Sequence, residues 1–199
     1  MAGCQAINNR RDSGYNEGMT RRRCAWVPPG DALYVRYHDA EWGVPVQDDR
    51  KIFEFLVLEA FQAGLSWRIV LGKRENFRKA FAGFDFRRVA KFGARDLARI
   101  AKDPGVVRNR AKIAAAAHNA KRFLEVRREF GTFSTYMWSW AGAKAEDWAK
   151  DLKARGFKFL GPTVVYAHMQ AAGMVNDHAP FCFRRREVSR APRPVGRRS

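Results

Sequence analysis

Apolar residues in this chain recur at three- and four-residue spacing, and no segment sustains the period-two alternation of a half-buried strand. That pattern confines the chain to an all-α fold. Its clearest instance carries Ile52, Phe53, Leu56, Val57, Ala60 and Phe61. Asp48 or Asp49 can cap this helix, and Gly64 stops it. Ser66 can cap a second helix carrying Ile69, Val70, Phe77 and Phe81, Asp85 a short one ending near Gly93, and Asp96 opens another through Ile100. The Ala-rich stretch 109–130 reads as one long helix ended by Gly131, and 138–152 as a helix of weaker pattern. Pro162 fits the first turn of a last helix that runs through Ala172 and closes at Gly173.

A chain of 199 residues supports one good core. Residues 1–23 are polar, rich in Asn, Gly and Arg, and read as a disordered extension in which Met19 offers an alternative start. Residues 24–183 form the expected single domain, and 184–199, with seven Arg and no Lys, a disordered basic tail. Lys and Arg outnumber Asp and Glu by 38 to 20, and without the tail the chain still carries about +12 of its +18. Such a charge points to a polyanionic partner, most often nucleic acid. The plainer alternative is a solvated cationic surface. The sequence has no apolar run of membrane-spanning length and no signal-peptide pattern. Three Cys make no disulfide framework and fit a reducing cytoplasm.

Cys24 and His38 stand near one end, His178 and Cys182 near the other, the two His 140 positions apart. Two Cys and two His complete a tetrahedral zinc set, which would clasp the two ends of the domain together. Alternatively, the thiols are buried apolar groups and the His ordinary polar residues. Glu59 lies in an apolar helical run, where a carboxylate is costly without a task. Trp26, Tyr34, Tyr37 and Trp42 cluster around the first Cys/His pair. Aromatic rings with a carboxylate describe a pocket for a flat, electron-poor ring, or else core packing. The segment Arg155-Gly156-Phe-Lys158-Phe-Leu-Gly161 joins two helices as a candidate helix-hairpin-helix, whose second N-terminus can face a phosphate, or as a plain loop.

Six motifs occur in one order: Cys24-Ala-Trp-Val; Tyr34-x-x-Tyr37-His38-Asp39-x-Glu41-Trp42-Gly43-Val44-Pro45; Leu58-Glu59-x-x-Gln62-Ala-Gly-Leu-Ser-Trp67; Lys73-Arg-Glu-Asn-Phe77; the 155–161 segment; and Met169-Gln-Ala-x-Gly-x-Val-Asn-Asp-His178. Together they resemble the bacterial 3-methyladenine DNA glycosylase I family, over about four-fifths of the chain. The resemblance implies a helix-hairpin-helix glycosylase fold with one structural zinc on Cys24, His38, His178 and Cys182. It implies hydrolysis of the N-glycosidic bond of 3-methyladenine in double-stranded alkylated DNA, by a monomer in the bacterial cytoplasm. Glu59 would read the flipped base. Tyr37 and Trp67 would line the pocket, with Trp42, Tyr34 and Trp26 as its wall. Leu65, in the Gly64-Leu65 turn, would be the wedge, and Arg155, Gly156, Lys158 and Gly161 would form the hairpin. Asp177 is a candidate for assisting the sugar. Two other readings are a non-enzymatic zinc-closed binder of damaged DNA and a glycosylase of broader alkyl-base range.

Overall fold

A computed structural model describes residues 21–193. Among these residues every regular element is helical. Residues 1–20 of the extension expected over 1–23, and residues 194–199 of the tail, lie outside this range. The helices are α1 Ala32–Ala40, α2 Asp49–Gln62, α3 Trp67–Gly72, α4 Arg74–Ala80, α5 Phe86–Val89, α6 Ala94–Lys102, α7 Arg110–Phe130, α8 Phe133–Ser139, α9 Ala145–Ala154, α10 Pro162–Ala171 and α11 Phe183–Ser189. No helix among the described residues is long and apolar enough to cross a membrane.

The centre of the molecule is α2. Every residue from Ile52 to Phe61 is buried, and the helix packs against α3, α7, α8 and α10. Asp48 caps it by accepting the Lys51 N–H at 2.8 Å. The main core wraps α2 with Phe77, Phe81, Phe123, Phe133, Trp138 and Trp148. A smaller cluster of Tyr37, Trp42, Phe55, Leu71 and Ala171 gathers around Cys24 and Cys182. Phe55, on α2, belongs to this second cluster, so one helix feeds both cores.

Several boundaries differ from the periodic pattern, each for a local reason. The helix begun by Ser66 divides at Lys73, whose backbone (φ −94°, ψ 1°) ends α3 and begins α4. The stretch 138–152 is not one helix. Thr132 caps α8 earlier, its Oγ1 accepting the Thr135 N–H at 2.9 Å, and the chain turns before α9 starts at Ala145. The basic tail does not begin disordered at 184, because α11 runs to Ser189 and buries Val188. At the other end Arg21–Arg23 are part of the structure. Arg23 pairs with Asp39 at 2.7 Å, and Arg21 and Arg22 stack on Phe183 and Phe181.

The two ends of the domain meet through a close backbone approach. Val46 N–H donates to the Ala172 carbonyl at 3.1 Å. A Cβ on Gly173, which has φ +75°, would lie 2.5 Å from the backbone of Val44 and Pro45. A side chain there would clash with main chain, which cannot rotate away.

Candidate base pocket and metal centre

Four ligand atoms from Cys24, His38, His178 and Cys182 lie within 4.8 Å of one another, all buried. Cys182 Sγ is 3.4 Å from His38 Nε2 and 3.5 Å from His178 Nδ1, and Cys24 Sγ is 3.6 Å from His178 Nδ1. Zinc bonds of about 2.3 Å to sulfur and 2.0–2.1 Å to nitrogen, at tetrahedral angles, space sulfur and nitrogen by about 3.5 Å. The geometry therefore fits a tetrahedral ion, and the four residues are positioned to bind a metal.

Outer contacts fix each imidazole. His38 Nδ1–H donates to Asp39 Oδ1 at 2.7 Å, which leaves the Nε2 lone pair facing the cluster. His178 Nε2–H donates to the Trp42 carbonyl at 3.1 Å, which turns Nδ1 inward. Gly43 permits this contact: a Cβ there would stand 3.0 Å from His178 Nε2. Burial lowers both His, His178 to about 4, so both are neutral ligands at neutral pH. Burial, reinforced by the neighbouring Cys182, pushes the Cys24 thiol up to about 11. Without a cation the Cys24 thiol stays protonated at neutral pH, and a bound dication would reverse that preference.

Beside this centre lies a cavity of about 520 Å³ lined by Trp26, Tyr34, Tyr37, Trp42, Glu59, Gln62, Trp67, Ala167, Gln170 and Asp177. The structure thus brings together Glu59 and all five aromatic residues singled out in the sequence. Trp26 crosses Trp42 edge-on at 5.0 Å and His38 at 5.3 Å, so the Cys/His cluster buttresses the pocket wall. Tyr37 meets Trp67 at 5.3 Å. The Trp67 indole N–H is buried without a partner.

Glu59 is 4% exposed, and burial pushes its carboxyl up to about 8 with no cation to relieve it. A second acid on the same helix shows the contrast. Burial also acts on Glu54, but Arg74 Nε and Arg78 Nη2, both at 2.8 Å, and Lys51 hold that carboxyl below its ordinary range. Asp177 lines the cavity, where its Oδ2 accepts from Tyr166 Oη at 2.5 Å and Gln170 Nε2 at 2.8 Å.

Leu65 follows Gly64 (φ +81°) in the turn after α2 and is 39% exposed. The hairpin residues are reached by α9 and α10 and are pinned to α7. His118 Nε2 contacts the Gly156 carbonyl at 2.8 Å, while Asn119 accepts the Lys158 N–H and donates to its carbonyl, both at 2.8 Å. The Lys158 side chain is exposed, and Gly161 caps α10 with Pro162 at its first position. Arg155 differs from expectation. Its guanidinium binds Glu129 at 2.6 Å and Asp151 at 2.8 Å and lies over Phe130 and Tyr136, so its charge is engaged within the fold. Sequence reasoning passed over Gln170, Asn119 and Lys112. Asn119 and Lys112 sit in an Ala-rich helix whose pattern gives no sign of polar work, and Gln170 lies inside a matched motif with no role assigned.

The sequence profile of the family described as methyladenine glycosylase matches residues 26–185. DNA-3-methyladenine glycosylase 1 of Escherichia coli is 42% identical over 178 residues, which cover 80% of this chain and 95% of that protein. A crystal structure of 3-methyladenine DNA glycosylase I, 42% identical, superposes with a TM-score of 0.78 over 81% of this chain and 98% of that one. A point variant of a 3-methyladenine DNA glycosylase I in complex with 3-methyladenine, 34% identical, reaches 0.77 over 81% and 96%.

Proposed function

The chain belongs to the methyladenine glycosylase family, and from that premise we propose that it hydrolyses the N-glycosidic bond of 3-methyladenine in alkylated DNA, the first step of base excision repair. The observation that carries this reading is Glu59: a carboxyl 4% exposed, raised to about 8, in a cavity walled by five aromatic rings.

Methylation at N3 makes the nucleobase of 3-methyldeoxyadenosine cationic. Its departure takes the C1′–N9 electron pair onto the ring, which becomes neutral. Water adds to the oxocarbenium-like C1′ and loses a proton, leaving an abasic site. A leaving group this good needs no strong acid. The site has to extrude the base, stack on it and tell it from neutral adenine. Tyr37, Trp67, Trp42, Tyr34 and Trp26 supply faces and edges for the flipped ring. Glu59 accepts from its N–H edge and releases its proton when the cation arrives, because an opposite charge reverses the burial penalty. The unpaired Trp67 N–H is open to an acceptor on the base. Leu65 fills the gap left in the duplex. The hairpin between α9 and α10, with exposed Lys158, is the helix-hairpin-helix that meets the backbone.

The bound ion in this reading is zinc, one per chain, on Cys24, His38, His178 and Cys182. It supplies ligation energy that closes the fold, and with four protein ligands it leaves no position for a catalytic water. The protein acts as a monomer in a reducing cytoplasm. The experiment is release of free base from duplex DNA carrying 3-methyladenine and, in parallel, 7-methylguanine. Release of 3-methyladenine alone is expected. Release of both would make this a broad alkyl-base enzyme, and tight binding without release would make it a damage binder.

A further inference from the structure

Lys112 is placed where a lysine should not be. It lies in the first turn of α7, where a cation opposes the helix dipole, and it is 8% exposed among Phe53, Leu56, Val57, Phe61 and Leu160. Burial lowers the basicity of its ammonium. The compensation lies across the core. Its Nζ donates to the carbonyls of Phe61 at 3.1 Å and Ala63 at 2.5 Å. These carbonyls belong to the C-terminal end of α2, where a helix runs out of its own N–H partners. They flank Gln62, which lines the cavity. They lead into the turn closed by Leu65 N–H donating to the Gln62 carbonyl at 2.6 Å. Past that turn, Leu65 and Ile69 are apolar side chains exposed at 39% and 44%.

We infer that Lys112 is a positioning residue: its ammonium fixes the end of α2 and the turn after it, so that Leu65 is presented to the duplex. The inference rests on the glycosylase reading above. It assigns to one buried cation the placing of the side chain that fills the opened duplex, apart from the walls that receive the base. Charge-assisted bonds to two carbonyls are the strong kind, and among the described residues no other side chain donates to that end of the helix.

The test compares wild type, Lys112→Met and Lys112→Gln on 3-methyladenine in duplex and in single-stranded DNA. Binding of free 3-methyladenine and amide exchange over 62–66 are measured beside it. Lys112→Met keeps the length and removes the charge. Its duplex rate is expected to fall roughly ten- to hundredfold, its single-strand rate and free-base affinity to change little, and exchange of the Leu65 and Ser66 amides to quicken. Lys112→Gln, which retains a donor, is expected to lie between and provides the measurement should the Met variant not fold. Equal losses on both substrates, or unchanged exchange at 62–66, would overturn the inference and leave Lys112 as a core residue. If wild type releases no base from either substrate, the glycosylase reading fails first and this inference falls with it.

Discussion

Glu54 and Glu59 are equally buried on one helix, yet one is held as a carboxylate by Arg74, Arg78 and Lys51 and the other is held neutral by the lack of any partner. Two environments on one element separate an acid engaged within the fold from an acid left for the cavity. The cost of the second is measurable. A carboxyl whose folded value is raised from 4.5 to about 8 makes the folded state bind more protons than the unfolded state in that interval. Stability therefore falls as pH rises from 4.5 to about 8, by roughly 2–4 kcal/mol at neutral pH. Glu59→Gln removes this penalty. Its melting temperature should exceed that of wild type at pH 8, with the advantage shrinking toward pH 4.5 in calorimetric scans. Single-turnover release of 3-methyladenine by the same variant should fall about ten- to hundredfold, with metal content unchanged. A second measurement isolates the charge. Binding of a 3,9-dimethyladeninium ion at pH 7 should release about 0.9 proton per site, read from titrations in buffers of different ionisation enthalpy. The release should vanish above pH 9.

At the level of elements, the capping residues carried most of the sequence signal. Asp48, Ser66 and Asp85 each accept backbone N–H groups where their positions suggested. Glu59 was legible as a lone carboxyl facing an apolar stripe, and the Cys/His set as paired ligands. What stayed hidden follows a common physical cause. Helix α1 has its cap, Asp31, but presents Tyr37 and His38 to a small second core rather than an aliphatic stripe to the main one. Helix α11 carries three Arg and a Glu among its seven residues and is anchored by Val188, so charge masked it. Arg155 sat in a hairpin pattern that suggests phosphate, whereas its acidic partners Glu129 and Asp151 come from two other turns of chain. Arg155→Ala should therefore lower stability by about 1 kcal/mol, a partly exposed pair's worth, in denaturant unfolding. Its nonspecific DNA affinity should stay within twofold of wild type, whereas Lys158→Ala should weaken it.

On the scale of the whole molecule, two features organise the chain: a net charge of +18 and a clasp between its ends, built of four residues positioned to bind a metal. The first predicts DNA affinity that falls with salt along a log–log slope of about −0.9 per neutralised phosphate, measured by fluorescence anisotropy. The second predicts that Cys182→Ala loses metal and stability together. A loss of even ~3 kcal/mol of ligation energy lowers Tm by roughly 6–12 °C in a domain of this size. Metal analysis beside thermal melting checks it, and a metal-free protein with unaltered Tm would count against a structural ion.

The clasp also sets an order of events during synthesis. Cys24 and Cys182 are separated by 158 residues, so at ribosomal rates the last ligand emerges roughly 8–30 s after the first. Until then His38 and Cys24 have half a site. The pocket wall from Trp26 to Trp42 has nothing to close against, since Gln170 and Asp177 arrive with the same final segment. A nascent or prematurely terminated chain thus presents basic surface without a finished base pocket. Capture of a metal by the four residues would mark the moment at which translation has delivered the whole pocket.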